Sequence, residues 1–150
     1  MRGNWGMGVG LFVAGCSSDP FEAGTWTITA NSETNDTCGR SPTEQGIGEP
    51  ASATFAWGDN KALEITGFGK DETWEYDAFG PNWTAGWDEA YEVAPACEQT
   101  EKHTLVLTAD GQERVLIDSL VGVGVRGDGC SAVETEGPCS FELHYFGDVN

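Results

Sequence analysis

Cysteine supplies the most legible chemistry in this 150-residue chain. Cys16 stands alone near the amino terminus, and Cys38, Cys97, Cys130 and Cys139 follow. None of the four lies two to four residues from another, which is wrong for a zinc ribbon. An even set of four in an exported chain suits two disulfides. Cys130 and Cys139 flank a short glycine- and acid-containing loop and are expected to pair, which leaves Cys38 for Cys97. By loop-closure entropy these bonds would contribute roughly 3 and 4 kcal/mol.

Aromatic side chains form the second group. Trp57, Trp74, Trp83, Trp87 and Tyr91 could line a pocket for a small apolar ligand. Trp83 and Trp87 could instead stack on a sugar or a partner protein, or all of them could fill a core. His103 and His144 read as surface residues on strands, not as metal ligands. No Gly-x-Ser-x-Gly, no His-Glu-x-x-His and no phosphate-cradling loop occurs. Nor is there EF-hand spacing around Asp59, Asp110 or Asp128. Catalysis, a cofactor and a metal are therefore not expected. A carboxylate pair for glycoside cleavage, drawn from 25 acids, is the enzymatic alternative.

The segment ahead of these residues decides where they work. Arg2 and the amino terminus supply positive charge, and Trp5 to Gly15 is apolar and glycine-rich. That length suits a secretory signal and falls short of the roughly 20 residues a spanning helix needs. Val13-Ala14-Gly15-Cys16, followed by polar Ser17-Ser18-Asp19-Pro20, resembles the lipobox of bacterial lipoproteins. The resemblance implies a signal peptide over 1–15 and a fatty-acylated (palmitate-type) Cys16. It also implies a tether over 16–23, leaving a single domain over 24–150. Ser17, being other than Asp, implies the outer membrane in that family. Three acyl chains on one cysteine suffice for stable anchoring.

The chain carries a net charge of −18, and Arg2 is the one charged residue before Cys16, so the exported part is more negative still. Such a surface repels nucleic acid and anionic headgroups. Nucleic acid is excluded as a partner, and the acidic exterior keeps the domain soluble beside its membrane.

The elements that must position these residues are strands. Gly24 to Ala30 puts Trp26, Ile28 and Ala30 on one face and threonines on the other. Asn31 to Pro50 is a long loop carrying Cys38. Ala51–Trp57 and Ala62–Thr66 flank the turn Gly58-Asp59-Asn60, and Thr73–Phe79 follows a turn at Gly67-Phe68-Gly69. Trp74, Tyr76 and Ala78 point inward there. Trp83, Trp87 and Tyr91 recur every four residues, which predicts a short helix after Asn82. A loop followed by a strand around Ala90–Val93 is the competing expectation, favoured by Gly86.

His103–Ala109 and Gln112–Leu120 meet at Asp110-Gly111, the firmest hairpin signal. The second strand continues in parity to Val125, bent or bulged at Gly122 and Gly124. Ser140–Phe146 closes the chain, with Phe141, Leu143 and Tyr145 inward.

Seven to eight short strands with hardly any helix predict an all-β domain, an antiparallel meander barrel or a two-sheet sandwich, stapled by disulfides. Gly24-Thr25-Trp26 resembles the Gly-x-Trp signature of lipocalins and other calycins, avidins included. There the tryptophan plugs one barrel end beneath a basic side chain from a late strand, a role that would fall to Arg126. The functional expectation is non-catalytic binding of a small ligand, a sugar or an envelope protein by a membrane-anchored domain. A pocketless structural surface lipoprotein and an envelope enzyme are the alternatives.

Overall fold

A computed structural model describes residues 19–40, 46–70, 72–77, 82–132 and 138–150. The lipobox-like segment and Cys16 lie outside the described residues, as do Ala78 and Phe79.

Eight strands form, and each is antiparallel to its neighbours. They are β1 (Gly24–Thr34), β2 (Pro50–Trp57), β3 (Leu63–Thr66), β4 (Glu72–Asp77), β5 (Asn82–Ala94), β6 (Cys97–Ala109), β7 (Arg114–Arg126) and β8 (Cys139–Val149). They pair in chain order and β8 returns to β1, so the sheet closes as a meander barrel. Closure removes the unpaired edges that a sandwich would keep. Of the two architectures expected, the barrel is the one that forms.

Alternation sets which side chains enter the barrel. Trp26, Ile28 and Ala30 of β1 are buried, as are Ala53 and Phe55 of β2, Leu63 and Ile65 of β3, and Trp74 of β4. Val115, Ile117, Val121 and Val123 carry one inward parity the full length of β7. The β6–β7 register runs unbroken from Glu98–Arg126 to Ala109–Val115. The glycines of β7 therefore mark no bulge. The bulge is in β1, where Asn31 is extra between Ala30 and Ser32 and turns Glu33 to the inner face, opposite Leu143.

The helix expected after Asn82 does not form: residues 82–94 are one continuous strand. A four-residue spacing satisfies both a helical face and the period of two that a strand demands. β5 pairs with β6 over almost its whole length, and that ladder decides the matter. Gly86 is part of it, since a Cβ there would lie 3.0 Å from the His103 carbonyl oxygen.

Both expected cysteine pairings are corrected. The bonds are Cys38–Cys139 and Cys97–Cys130. Barrel closure brings the start of β8 beside the end of β1, where the Thr37 amide donates to the Ser140 carbonyl at 2.8 Å. Cys38 and Cys139 meet there. The loop leaving β7 passes over the start of β6, with the Gly129 amide donating to the Ala96 carbonyl at 3.0 Å. Gly127 and Gly129 lie so close to the backbone of residues 95 and 96 that neither could carry a side chain. That approach delivers Cys130 to Cys97.

The barrel has two unlike ends. At the end where β1 begins, a core of Trp26, Phe55, Trp74, Trp83, Leu107 and Val115 is sealed by Phe21, which is 1% exposed. Packing thus reaches back into the segment read as tether. Phe21 meets Trp26, Phe55, Trp57 and Trp83 with ring centroids 4.7–6.0 Å apart. Trp26 stacks on Phe55 at 5.0 Å, and its indole N–H donates to the Glu22 carbonyl at 3.1 Å. Arg126 does not cover it: that residue ends β7 at the opposite end and pairs with Glu98 at 2.6 Å. Aromatic rings fill the place the resemblance assigned to a basic side chain.

Candidate functional site

Strand length creates the site. β5 to β8 run for 11 to 13 residues, whereas β2, β3 and β4 have eight, four and six. The long strands stand above the short ones as a wall. In the step between them is a cavity of about 290 Å³, open to one side. Its apolar surface comes from Phe68, Trp87, Leu105, Val121, Phe141 and Tyr145. Arg40, Glu101, His103 and Ser119 add polar groups.

The turn after β3 forms the low side of this cup. Gly67 and Gly69 adopt φ of 82° and 65°, which an L side chain tolerates poorly. Phe68 is thereby thrown inward, edge-on to Tyr145 at 5.1 Å. Gly69 lies against Trp87, where a Cβ would come within 2.9 Å of the indole. Arg40, from the long loop, lies over the Phe141 ring at 4.7 Å.

The five aromatic candidates divide between the two ends. Trp74 and Trp83 are core residues, and Trp57 packs on Phe21 and Trp83. The Trp83 indole donates to the Lys61 carbonyl at 2.8 Å. Trp87 lines the cavity. Tyr91 stands above it, half-exposed, its hydroxyl donating to Glu101 at 2.9 Å and accepting from the Gln99 amide at 2.5 Å.

The two histidines also separate. His144 is on the outside, as expected, bonded through Nδ1 to Asp118 at 2.7 Å and through Nε2 to Thr34 at 2.8 Å. His103 is not a surface residue. It faces inward, 17% exposed, and its ring stacks on Trp87 with centroids 4.7 Å apart. Its Nε2 lies 3.4 Å from Glu101.

Charge gathers on this rim. Glu101 is 15% exposed and lies 3.5 Å from Arg40. Glu89 pairs with Lys70 at 3.1 Å, and that hydrogen bond holds its carboxyl below the usual range, against some loss of solvation. Glu33 is pushed up by loss of solvation and then by its neighbour Asp36. Burial raises the Tyr145 phenol above its ordinary value.

Sequence reasoning missed Glu89, Glu101 and the inward course of His103; it placed Tyr145 inward but not in the cavity wall. Gln99, Glu101 and His103 alternate with Glu98, Thr100 and Lys102, so both faces of β6 are polar there and no contrast marks the inner one. The available signal was register. A tight turn at Pro95-Ala96 sets Glu101 opposite Glu89 and His103 opposite Trp87.

Fold and site together define an antiparallel meander barrel plugged at one end and hollowed at the other. The chain matches no protein-family model, no curated protein and no solved structure.

Proposed function

We propose that this protein is an envelope lipoprotein whose barrel binds a small, largely apolar ligand in the cavity beside Trp87. The observation that carries the reading is the cavity itself. Aromatic and aliphatic walls surround it, while a few polar groups (Arg40, Glu101, His103 and Ser119) stand where they could orient a bound molecule. Its volume of about 290 Å³ limits the ligand to a compact one. The Gly-x-Trp resemblance supports the same reading, since Trp26 plugs one end of an eight-stranded barrel.

The location is argued from Val13-Ala14-Gly15-Cys16 and from two disulfides, which persist in oxidising compartments. Lipid on Cys16 would hold the cup at the outer membrane.

Two measurements test this. Mass spectrometry of membrane extracts should find acylation on the wild type and none on Cys16→Ser, which is released in soluble form. An unmodified wild-type cysteine ends the lipoprotein reading. Calorimetry with small aromatic probes such as 1-naphthol should show saturable one-site binding that Val121→Phe abolishes by filling the cavity. Absence of saturable binding, or equal binding by Val121→Phe, leaves the pocketless surface lipoprotein as the surviving account.

A further inference from the structure

The geometry points to a binding site for one divalent transition-metal ion of the zinc class at Glu89, Glu101 and His103. It shares Glu101 and His103 with the cavity wall, and it stands whether or not an organic molecule enters the cavity.

Backbone register assembles the three donors. Glu89 and Glu101 are direct cross-strand partners on β5 and β6, and His103 lies two residues further along the same inner face. One donor atom from each of the three falls within 4.8 Å of the others. The Glu101 Oε2 to His103 Nε2 separation of 3.4 Å matches the edge of a tetrahedral zinc shell, about 3.4 Å for bonds near 2.1 Å.

Without an ion the arrangement is costly. Like charges set directly opposite each other destabilise a sheet, and Glu101 is largely removed from water. His103 Nε2 is buried and has no hydrogen-bond partner among the described residues. The stack on Trp87 fixes the ring plane, and within it Nε2 lies 3.4 Å from Glu101. A metal ion satisfies all three groups at once.

The compensation in place is partial. Lys70, 46% exposed, meets Glu89 at the surface, where an ion pair contributes little. Arg40 stands 3.5 Å from Glu101, and the Tyr91 hydroxyl donates to the same carboxylate at 2.9 Å, so Glu101 is partly satisfied before any ion arrives. An incoming cation displaces Lys70 outward at small cost.

Donor chemistry selects the ion. One imidazole and two carboxylates suit zinc and its first-row neighbours. Calcium, which takes six to eight oxygens, is poorly served by three donors of which one is nitrogen. Three protein ligands leave a position open for water or for a donor atom of a cavity ligand.

The test uses the full-length chain with both disulfides intact, in a Cys16→Ser background so that no free thiol competes. Metal is removed by chelation, and Zn²⁺ is titrated calorimetrically at about 0.15 M salt, which screens the acidic exterior. Co²⁺ absorbance provides a second readout. One equivalent should bind, and excess Ca²⁺ should not displace it. Glu89→Gln and His103→Gln should each weaken affinity by more than the roughly tenfold that loss of even an outer partner of a metal ligand costs. Lys70→Met should tighten binding and Glu142→Gln should leave it unchanged. Glu89 is surface-accessible, so Glu89→Gln keeps the fold and is decisive even if His103→Gln does not. No binding by the parent chain overturns the proposal. So does binding of several weak equivalents indifferent to Glu89→Gln, which would be the general acidity of the surface.

Discussion

The imidazole of His103 lies flat on the indole of Trp87, the ring centroids 4.7 Å apart and the planes 11° from parallel. The two are direct cross-strand partners on the inner face of β5 and β6. Such a pair contributes about 0.5–1.5 kcal/mol beyond the area it buries. It also makes one continuous wall of the cavity, against which the Gly69 turn rests. Trp87→Ala should remove that wall and the support for the turn. Because Trp87 is only partly buried, the loss should fall at or below the low end of the about 3–5 kcal/mol measured for core tryptophans. Urea unfolding gives the energy. Loss of 1-naphthol binding in protein that still melts cooperatively would locate the effect at the site.

At the plugged end, Phe21 touches four aromatic rings although it precedes the first strand. Phe21→Ala should cost about 3–5 kcal/mol. It should act as a core substitution, lowering the urea midpoint with little change in its slope. A change near zero would mean that residues before β1 do not belong to the folded body.

Gly147 faces Ile28 and Val115 inside the barrel. A Cβ there would come within 2.6 Å of Ile28 Cδ1 and 2.9 Å of Val115 Cγ2. Gly147→Ala should therefore destabilise by overpacking, by about 1–3 kcal/mol. Pairing it with Ile28→Val, which shortens the offending side chain, should recover part of the loss. Thermal melts of both variants check this. Simple additivity would show that the crowding is relieved elsewhere.

How much of this was legible depends on contrast along each strand. β1 alternates apolar with polar residues, and β7 carries Val115, Ile117, Val121, Val123 and Val125 at one parity although Leu116 and Leu120 lie outward. Both inner faces could therefore be read directly, and the Asp110-Gly111 turn joined β6 to β7. β5 was opaque because Trp83, Trp87 and Tyr91 share a face under either period, and only pairing with β6 separates the two. The disulfides were misread for a related reason. Nearness in sequence favoured Cys130 with Cys139, whereas the contact between β8 and β1 that takes Cys139 away exists only once the barrel closes. The rim acids were hidden because residues 98–103 are polar on both faces.

The two disulfides should differ in worth. Cys38–Cys139 closes a separation of 101 residues and Cys97–Cys130 one of 33. Loop-closure entropy assigns them about 4–5 and about 3–4 kcal/mol. The double variant Cys38→Ser/Cys139→Ser should lose more stability than Cys97→Ser/Cys130→Ser, provided Cys97, fully buried, leaves no unsatisfied hydroxyl. Alanine at 97 avoids that penalty. Peptide mapping without reduction should recover only the 38–139 and 97–130 pairs.

Tyr145 sets an alkaline limit. Burial in the cavity wall pushes its phenol above the ordinary tyrosine value of 10.0, with no other cause contributing. In the unfolded chain the phenol ionises near the ordinary value, so as pH rises past about 10 the unfolded state loses its proton first. Stability from this residue is therefore fully present below pH 10 and is lost as pH rises through the folded value. Tyr145→Phe keeps the ring against Phe68 and has nothing to ionise. The variant should match the wild type near neutral pH and fall off less steeply above pH 10. Urea midpoints taken at short times, before thiol exchange intervenes, measure the slope. A phenolate absorbance titration should lose one component lying above the ordinary tyrosine range in the variant. Parallel stability curves through the alkaline range would mean that Tyr145 is solvated and the cavity wall more open than its packing against Phe68 indicates.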